Sequence, residues 1–309
     1  MKRRTVCDDA TDRSSVSIQS NPMKTPDETV EFDHGATSHA PELYQPAGVA
    51  ATLDGLDAIG PVEIARYREQ GFLAVENALT TAEVSAAIDG LRDLIMAPPP
   101  GFKGLLFEAK AREILPTLTL EQRQDAVRRL SYFVEVEPRL KAISHHAGLM
   151  AVVRSLLGGL EPKLFQDMAL LKPPRLGREK PWHQDHAYFD YPLGTPIVGV
   201  WIALDEATVE NGCMQLMPGR HREGPIAHFQ RRDWQICDDN ILGTESLAVP
   251  LKPGGLLLFD GLLPHGTPHN KSALRRRALQ FHYAPAGAVK SPVNTRLALF
   301  GSEGKDVTC

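Results

Sequence analysis

The stretch "KPWHQDHAYFDY", residues 180–191, sets His183, Asp185 and His186 within four positions. On a β-strand, residues i and i+2 share a face. Strand alternation therefore sends His183 and Asp185 to one side, and Gln184 and His186 to the other. An imidazole and a carboxylate side by side are two of the three ligands of a facial triad for non-haem iron. The third is expected from a distant strand. "GLLPHGTPHNKS" (261–272) offers His265, directly after an apolar run and before a glycine. An H-x-D tripeptide alone is weak evidence, because surface polar residues produce it often.

The texture around the tripeptide is that of a β protein. From about residue 160, short apolar runs alternate with Pro and Gly: "KLFQDMALLKPP", "PIVGVWIALDEAT", "CMQLMPGRH", "SLAVPLKPGGLLLFDGLLPH" and "RRALQFHYAP". These read as strands with tight turns at Asn211-Gly212, Pro218-Gly219 and Pro253-Gly254-Gly255. The charged, irregular segment 221–248 reads as an insertion between strands. Helices are expected before residue 160. Pro61 suits a first helical turn and Gly71 its end, with "FLAVEN" following as a strand. Thr80 and Glu83 form a capping box ahead of Val84, Ala87, Ile88, Leu91, Leu94 and Ile95 at helical spacing. "PPPG" (98–101) stops that helix. Thr119 and Gln122 predict a further helix through Leu130, and residues 138–157 another, ended by Gly158-Gly159. Helices first and strands later predict a mainly β fold, a sandwich or barrel buttressed by N-terminal helices.

Composition sets the outer limits. In 309 residues, 42% are hydrophobic and 23% charged, as in ordinary globular enzymes. A net charge of −4 gives no bulk attraction to nucleic acid. Cys7, Cys213, Cys237 and Cys309 are widely spaced and form no CxxC pair, which fits a reducing, cytoplasmic setting. No apolar run approaches the roughly 18 residues of a membrane span. Residues 1–52, rich in Ser, Thr, Asp and Pro, are expected to be a disordered leader. Residues 53–295 form the expected catalytic domain and 296–309 a tail.

Taken together, "WHQDHAYFDY", "WIALDEATVENGCMQLMPGRH" and "GGLLLFDGLLPHGTPHNKSALRRRALQFHY" resemble the phytanoyl-CoA dioxygenase family of iron(II)/2-oxoglutarate oxygenases. The resemblance runs over about residues 60–290. It implies a double-stranded β-helix, a jelly-roll of the cupin kind, with iron held by His183, Asp185 and His265.

The resemblance also implies a co-substrate site. Arginine's planar fork suits a carboxylate. In the family the arginine for the far carboxylate of 2-oxoglutarate lies eleven residues past the distal histidine, which lands on Arg276 in "ALRRRALQ". Alternation then puts Ala278, Gln280 and His282 on its face, with Arg275 and Arg277 opposite. Further contacts carried over from the family are Thr267, Trp201 and Met168; Trp201 and Met168 also suit an ordinary core. His186 and His282 flank the site as possible substrate contacts. His145-His146, His221, His228 and His269 are expected to be capping, surface or loop residues.

The implied reaction consumes O2 and 2-oxoglutarate, gives succinate and CO2, and hydroxylates a C–H of a small substrate such as an acyl-CoA. An Asp at 185, where related halogenases carry Gly or Ala, favours hydroxylation. The rival readings are a cupin-like zinc or nickel hydrolase or isomerase, and a non-catalytic binding module. An arginine after His265 speaks against the first and an intact ligand set against the second. Neither nucleic acid nor membrane is expected as a partner.

Overall fold

A computed structural model describes residues 31–32 and 39–301. In chain order, β1 (Glu31–Phe32), β2 (Gly48–Val49) and β3 (Thr52–Asp54) precede helix α1 (Pro61–Gln70), β4 (Phe72–Glu76) and helix α2 (Thr81–Met96). Strands β5 (Leu105–Phe107) and β6 (Val127–Ser131) lead into helices α3 (Pro138–Ser144) and α4 (Ala147–Leu156). Then come β7 (Pro162–Lys172), β8 (Lys180–His183), β9 (Val198–Ala203), β10 (Met214–Leu216), β11 (His228–Gln230), β12 (Trp234–Ile236), β13 (Leu247–Val249), β14 (Leu256–Asp260), β15 (His265–Thr267) and β16 (Arg276–Pro285). Helix α5 (Val293–Phe300) closes the described chain.

Two sheets make the body. The larger runs β1-β5-β6-β7-β16-β9-β14-β4-β3, and the smaller β2-β13-β10-β15-β8. The central strands of the large sheet are apolar without interruption because both of their faces are buried. On β9, Val198, Val200 and Ile202 join the core under the helices, while Trp201 and Ala203 face the smaller sheet. On β14, Leu256 and Leu258 take the helix side, and Leu257 and Phe259 the inter-sheet side. Each such fully buried Leu or Phe contributes about 1.5–3 kcal/mol of transfer free energy. Gly199 is required by that packing, since a Cβ there would collide with the Phe259 ring. The expected mainly β fold with buttressing helices is therefore the one observed.

Several local expectations hold. Pro61 opens α1, and Gly71 closes it in the left-handed region at φ 85. Thr80 caps α2, its side chain accepting from Glu83 N while Glu83 reaches back to Thr80 N.

Others need correction. Thr119 and Gln122 do exchange capping hydrogen bonds, but only a 3-10 turn (Glu121–Asp125) follows. The apolar positions beyond it belong to β6, whose pairing with β5 and β7 overrides helix propensity. The helix expected over 138–157 is two helices. His145 ends α3, and His146 caps α4 by accepting from Leu149 N at 3.3 Å.

Both domain limits also move. Residues 1–30 and 33–38 lie outside the described residues, but 39–52 belong to the fold. Leu43 and Tyr44 are buried, and β2 pairs with β13. Trp182 Nε1 donates to Leu43 O at 2.9 Å, and the Tyr44 ring stacks on Trp182. At the other end, residues 296–300 complete α5. There Phe300 is buried against His186 and Arg296 pairs with Asp190. Residues 302–309 lie outside the described residues. Segment 221–248 is more than an insertion: it supplies the β11–β12 hairpin and β13. Cys213 is a buried free thiol. Among the described residues no helix is long and apolar enough to cross a membrane.

Candidate functional site

His183 is the last residue of β8 and His265 the first of β15, and the antiparallel register makes them direct partners. Their ring centroids lie 4.3 Å apart. Asp185 reaches them by another route than the one expected. The strand ends at His183, and Asp185 begins a 3-10 turn (Asp185–Tyr188). Gln184 fixes that bend from the far side. Its Nε2 donates to Gly224 O and Leu262 O, its Oε1 accepts from Ile226 N, and its own N–H donates to His228 Nε2.

The three side chains converge. One ligand atom from each of His183, Asp185 and His265 lies within 4.8 Å of the others, and all three residues are buried. Among the described residues this is the one such group of His, Cys, Asp or Glu. His183 Nδ1 donates to Pro181 O at 2.7 Å and His265 Nδ1 to Leu263 O at 2.9 Å. Each carbonyl thereby selects the tautomer that leaves Nε2 with a free lone pair. Burial and the neighbouring His183 push His265 down to about 3, so its imidazole is neutral. Burial opposes ionisation of Asp185. Even so, the His282 ring, whose Nε2 lies 2.6 Å from Oδ2, together with the adjoining His265 and His183, holds its carboxyl well below the usual range. Two imidazole nitrogens and a carboxylate are the donor set that suits a divalent transition metal with open positions.

The triad opens on a cavity of about 470 Å³. Arg276 lies in its wall, 2% exposed. Burial pushes its guanidinium down to about 10, still charged at neutral pH. Its Nε has no partner, and neither has the indole Nε1 of Trp201, whose ring centroid lies 5.3 Å from the guanidinium carbon. Two orphaned donors in one buried cavity mark a place for an acceptor. Arg275 and Arg277 turn away, as alternation predicts, to Asp125 and Asp205. Met168 and Trp201 are the cross-strand neighbours of Gln280 on either side of β16, and both line the cavity. Thr267 is buried in the same wall.

Reasoning from sequence missed other parts. His282 stands on the face expected for it, but its Nε2 sits 2.6 Å from Asp185 Oδ2. His186 is turned away, bonded to Tyr191 O and stacked on Phe300. One cavity wall comes from the hairpin turn, through Gln230, Arg231, Arg232 and Asp233. That wall rests on a buried ionic cluster in which Arg232 bridges Glu179 and Asp238, and Tyr44 Oη donates to Glu179. Charge density in 221–248 was the only signal for it in the sequence.

The chain resembles known proteins in sequence and in fold. "Phytanoyl-CoA dioxygenase domain-containing protein 1" of Rattus norvegicus is 35% identical over 173 residues, 51% of this chain and 57% of the relative. The chain thus spans little more than half the length of that relative. Among solved structures, EvdO2 of Micromonospora carbonacea var. aurantiaca is 27% identical with a TM-score of 0.60, over 75% of this chain and 93% of that one. A second structure of EvdO2, complexed with 2-oxoglutarate, superposes with a TM-score of 0.57 at 28% identity. The epimerase SnoN, solved with Fe3+, alpha ketoglutarate and nogalamycin RO, shares the fold at 18% identity and a TM-score of 0.61, over 76% of this chain and 88% of that one. The sequence profile of the phytanoyl-CoA dioxygenase (PhyH) family matches residues 67–278, most of the folded chain including every residue of the triad. The chain belongs to the phytanoyl-CoA dioxygenase family.

Proposed function

We propose that the protein is an iron(II)- and 2-oxoglutarate-dependent oxygenase that hydroxylates a small organic substrate. In this reaction R–H, O2 and 2-oxoglutarate give R–OH, succinate and CO2. The observation that carries the reading is the meeting, in one buried cavity, of the His183–Asp185–His265 group with the unpartnered Arg276 Nε. The two histidines offer Nε2 lone pairs and Asp185 a carboxylate oxygen, so these three would hold the iron. Bound there, iron would supply the redox chemistry that activates O2.

The chain's own contribution is placement. Arg276 would pair with the far carboxylate of 2-oxoglutarate, a contact strengthened by the low polarity around it. The Trp201 Nε1 and the Thr267 hydroxyl add neutral donors, and Met168 packs against the carbon chain. A zinc hydrolase has no use for a buried guanidinium whose Nε lacks a partner in the wall of the same cavity. The EvdO2 complex with 2-oxoglutarate supports the co-substrate assignment.

The test is succinate formation and O2 uptake by purified protein with iron(II) and 2-oxoglutarate, alone and across a metabolite library. Iron-dependent succinate release supports the reading. Metal-dependent hydrolysis of a library member with no consumption of 2-oxoglutarate would replace it.

A further inference from the structure

We propose that His282, assisted by Gln280, is a positioning residue that holds Asp185 by Oδ2 and leaves Oδ1 as the oxygen offered to the metal. The inference rests on the reading of the triad as a metal centre and concerns how its carboxylate is aimed.

His282 Nε2 lies 2.6 Å from Asp185 Oδ2, and Gln280 Nε2 lies 3.2 Å from the same atom. An ionised carboxylate only accepts, so both nitrogens donate; this fixes the imidazole tautomer and the way the amide faces. Oδ2 therefore carries two hydrogen bonds and lies 3.6 Å from His265 Nε2, while Oδ1 accepts neither of those bonds and lies closer to a ligand nitrogen, 3.2 Å from His183 Nε2. A carboxylate so engaged meets a cation with its other oxygen. Chelation through both oxygens would occupy a further coordination position, one that a two-point co-substrate and O2 both compete for.

The holder is rigid. His282 is fully buried, with the Phe189 ring 4.9 Å away, Phe165 at 6.1 Å and Phe259 at 6.2 Å. Its Nδ1 has no partner in the protein, so its bond to Asp185 is the contact that keeps a polar ring in this apolar box. Gln280 and His282 follow Arg276 along one face of β16, which is paired on both sides by β7 and β9. One strand thus sets the metal carboxylate and the guanidinium in a single register. Outer-shell partners of metal ligands typically affect metal affinity by about 10- to 100-fold.

The probe is cobalt(II) alone, titrated into the full-length, metal-free protein without 2-oxoglutarate or substrate. His282→Leu keeps the volume but has no donor; His282→Gln restores an N–H; Gln280→Leu removes the second donor. We expect cobalt affinity to fall about tenfold or more in His282→Leu. It should return to within a few-fold of wild type in His282→Gln and weaken measurably in Gln280→Leu. A packing role alone would not be rescued by glutamine, a poor fit to the aromatic box. Wild-type affinity in His282→Leu overturns the proposal. So does a failure of glutamine to rescue combined with a silent Gln280→Leu. Should His282→Leu not fold, Gln280→Leu decides, and unchanged affinity there overturns it. His183→Ala serves as the reference. If that variant also binds cobalt normally, the metal centre itself has been misread, which is a different failure.

Discussion

His183 and His265 are register partners across β8 and β15, with ring centroids 4.3 Å apart, although most of the β-rich half of the chain separates them in sequence. Hydrogen bonds of the small sheet, not local chain geometry, bring the two imidazoles together. A slip of one residue would turn one of them to the opposite face.

Replacing His183, Asp185 or His265 with Ala should abolish iron-dependent 2-oxoglutarate turnover and reduce divalent metal binding to background. Iron titration and succinate release measure the two effects. Retained turnover in any of the three variants would remove that residue from the ligand set.

Arg276 should act on 2-oxoglutarate affinity. Arg276→Leu leaves a buried carboxylate unpaired, a loss of about 2–5 kcal/mol. Arg276→Lys keeps the charge without the fork and should lie between Leu and wild type. Arg275 pairs with Asp125 at a partly exposed position, so Arg275→Leu should change stability by less than about 1 kcal/mol and co-substrate affinity not at all. A 2-oxoglutarate titration at saturating iron separates these outcomes.

The N-terminal strap should matter for stability. Tyr44 Oη donates to Glu179 at 2.8 Å, next to the strand that carries His183. Tyr44→Phe removes a bond to a charged acceptor and should cost about 1.5–3 kcal/mol in urea denaturation. Deletion through residue 50 removes Leu43 and Tyr44 together and should lower the melting temperature far more. A truncated protein as stable as the full chain would show that the docked segment is dispensable.

Acid should destabilise the metal-free protein through its buried histidines. Burial pushes His228 down to about 3, and Nε2, which accepts from Gln184 N, has no room for a proton. In the unfolded chain that histidine titrates near its ordinary value of about 6.5. Between these values the unfolded state binds more protons, so stability rises with pH. The contribution is complete above about 6.5 and is lost on acidification at up to roughly 1.4 kcal/mol per pH unit. His228→Gln should reduce the slope of stability against pH by one proton's worth. Urea titrations at about pH 7, 6 and 5 measure it, and an unchanged slope would show that His228 is not the group responsible.

The sequence by itself determined the fold class and the facing of the arginine run, and it marked the three candidate ligands. Continuous apolar runs with glycine turns specify strands buried on both faces. The facing of Arg276 within its run is a short-range pattern that strand alternation preserves, whereas Asp185 meets His183 through a 3-10 bend and His265 meets it through sheet pairing. Other features were decided by tertiary structure. Thr119 and Gln122 carry a valid helix-start signal, yet the chain continues as β6, because sheet pairing outweighs a few tenths of a kcal/mol of propensity per residue. Composition marked residues 39–52 as polar and unstructured, but Leu43 and Tyr44 find a buried seat on Trp182 that only the assembled small sheet provides. His282 could be assigned a face from its spacing but not a partner, since Asp185 reaches it only where the chain bends after β8. Periodicity fixes which way a side chain points. What it meets there depends on contacts between segments far apart in the chain, and those form only on folding.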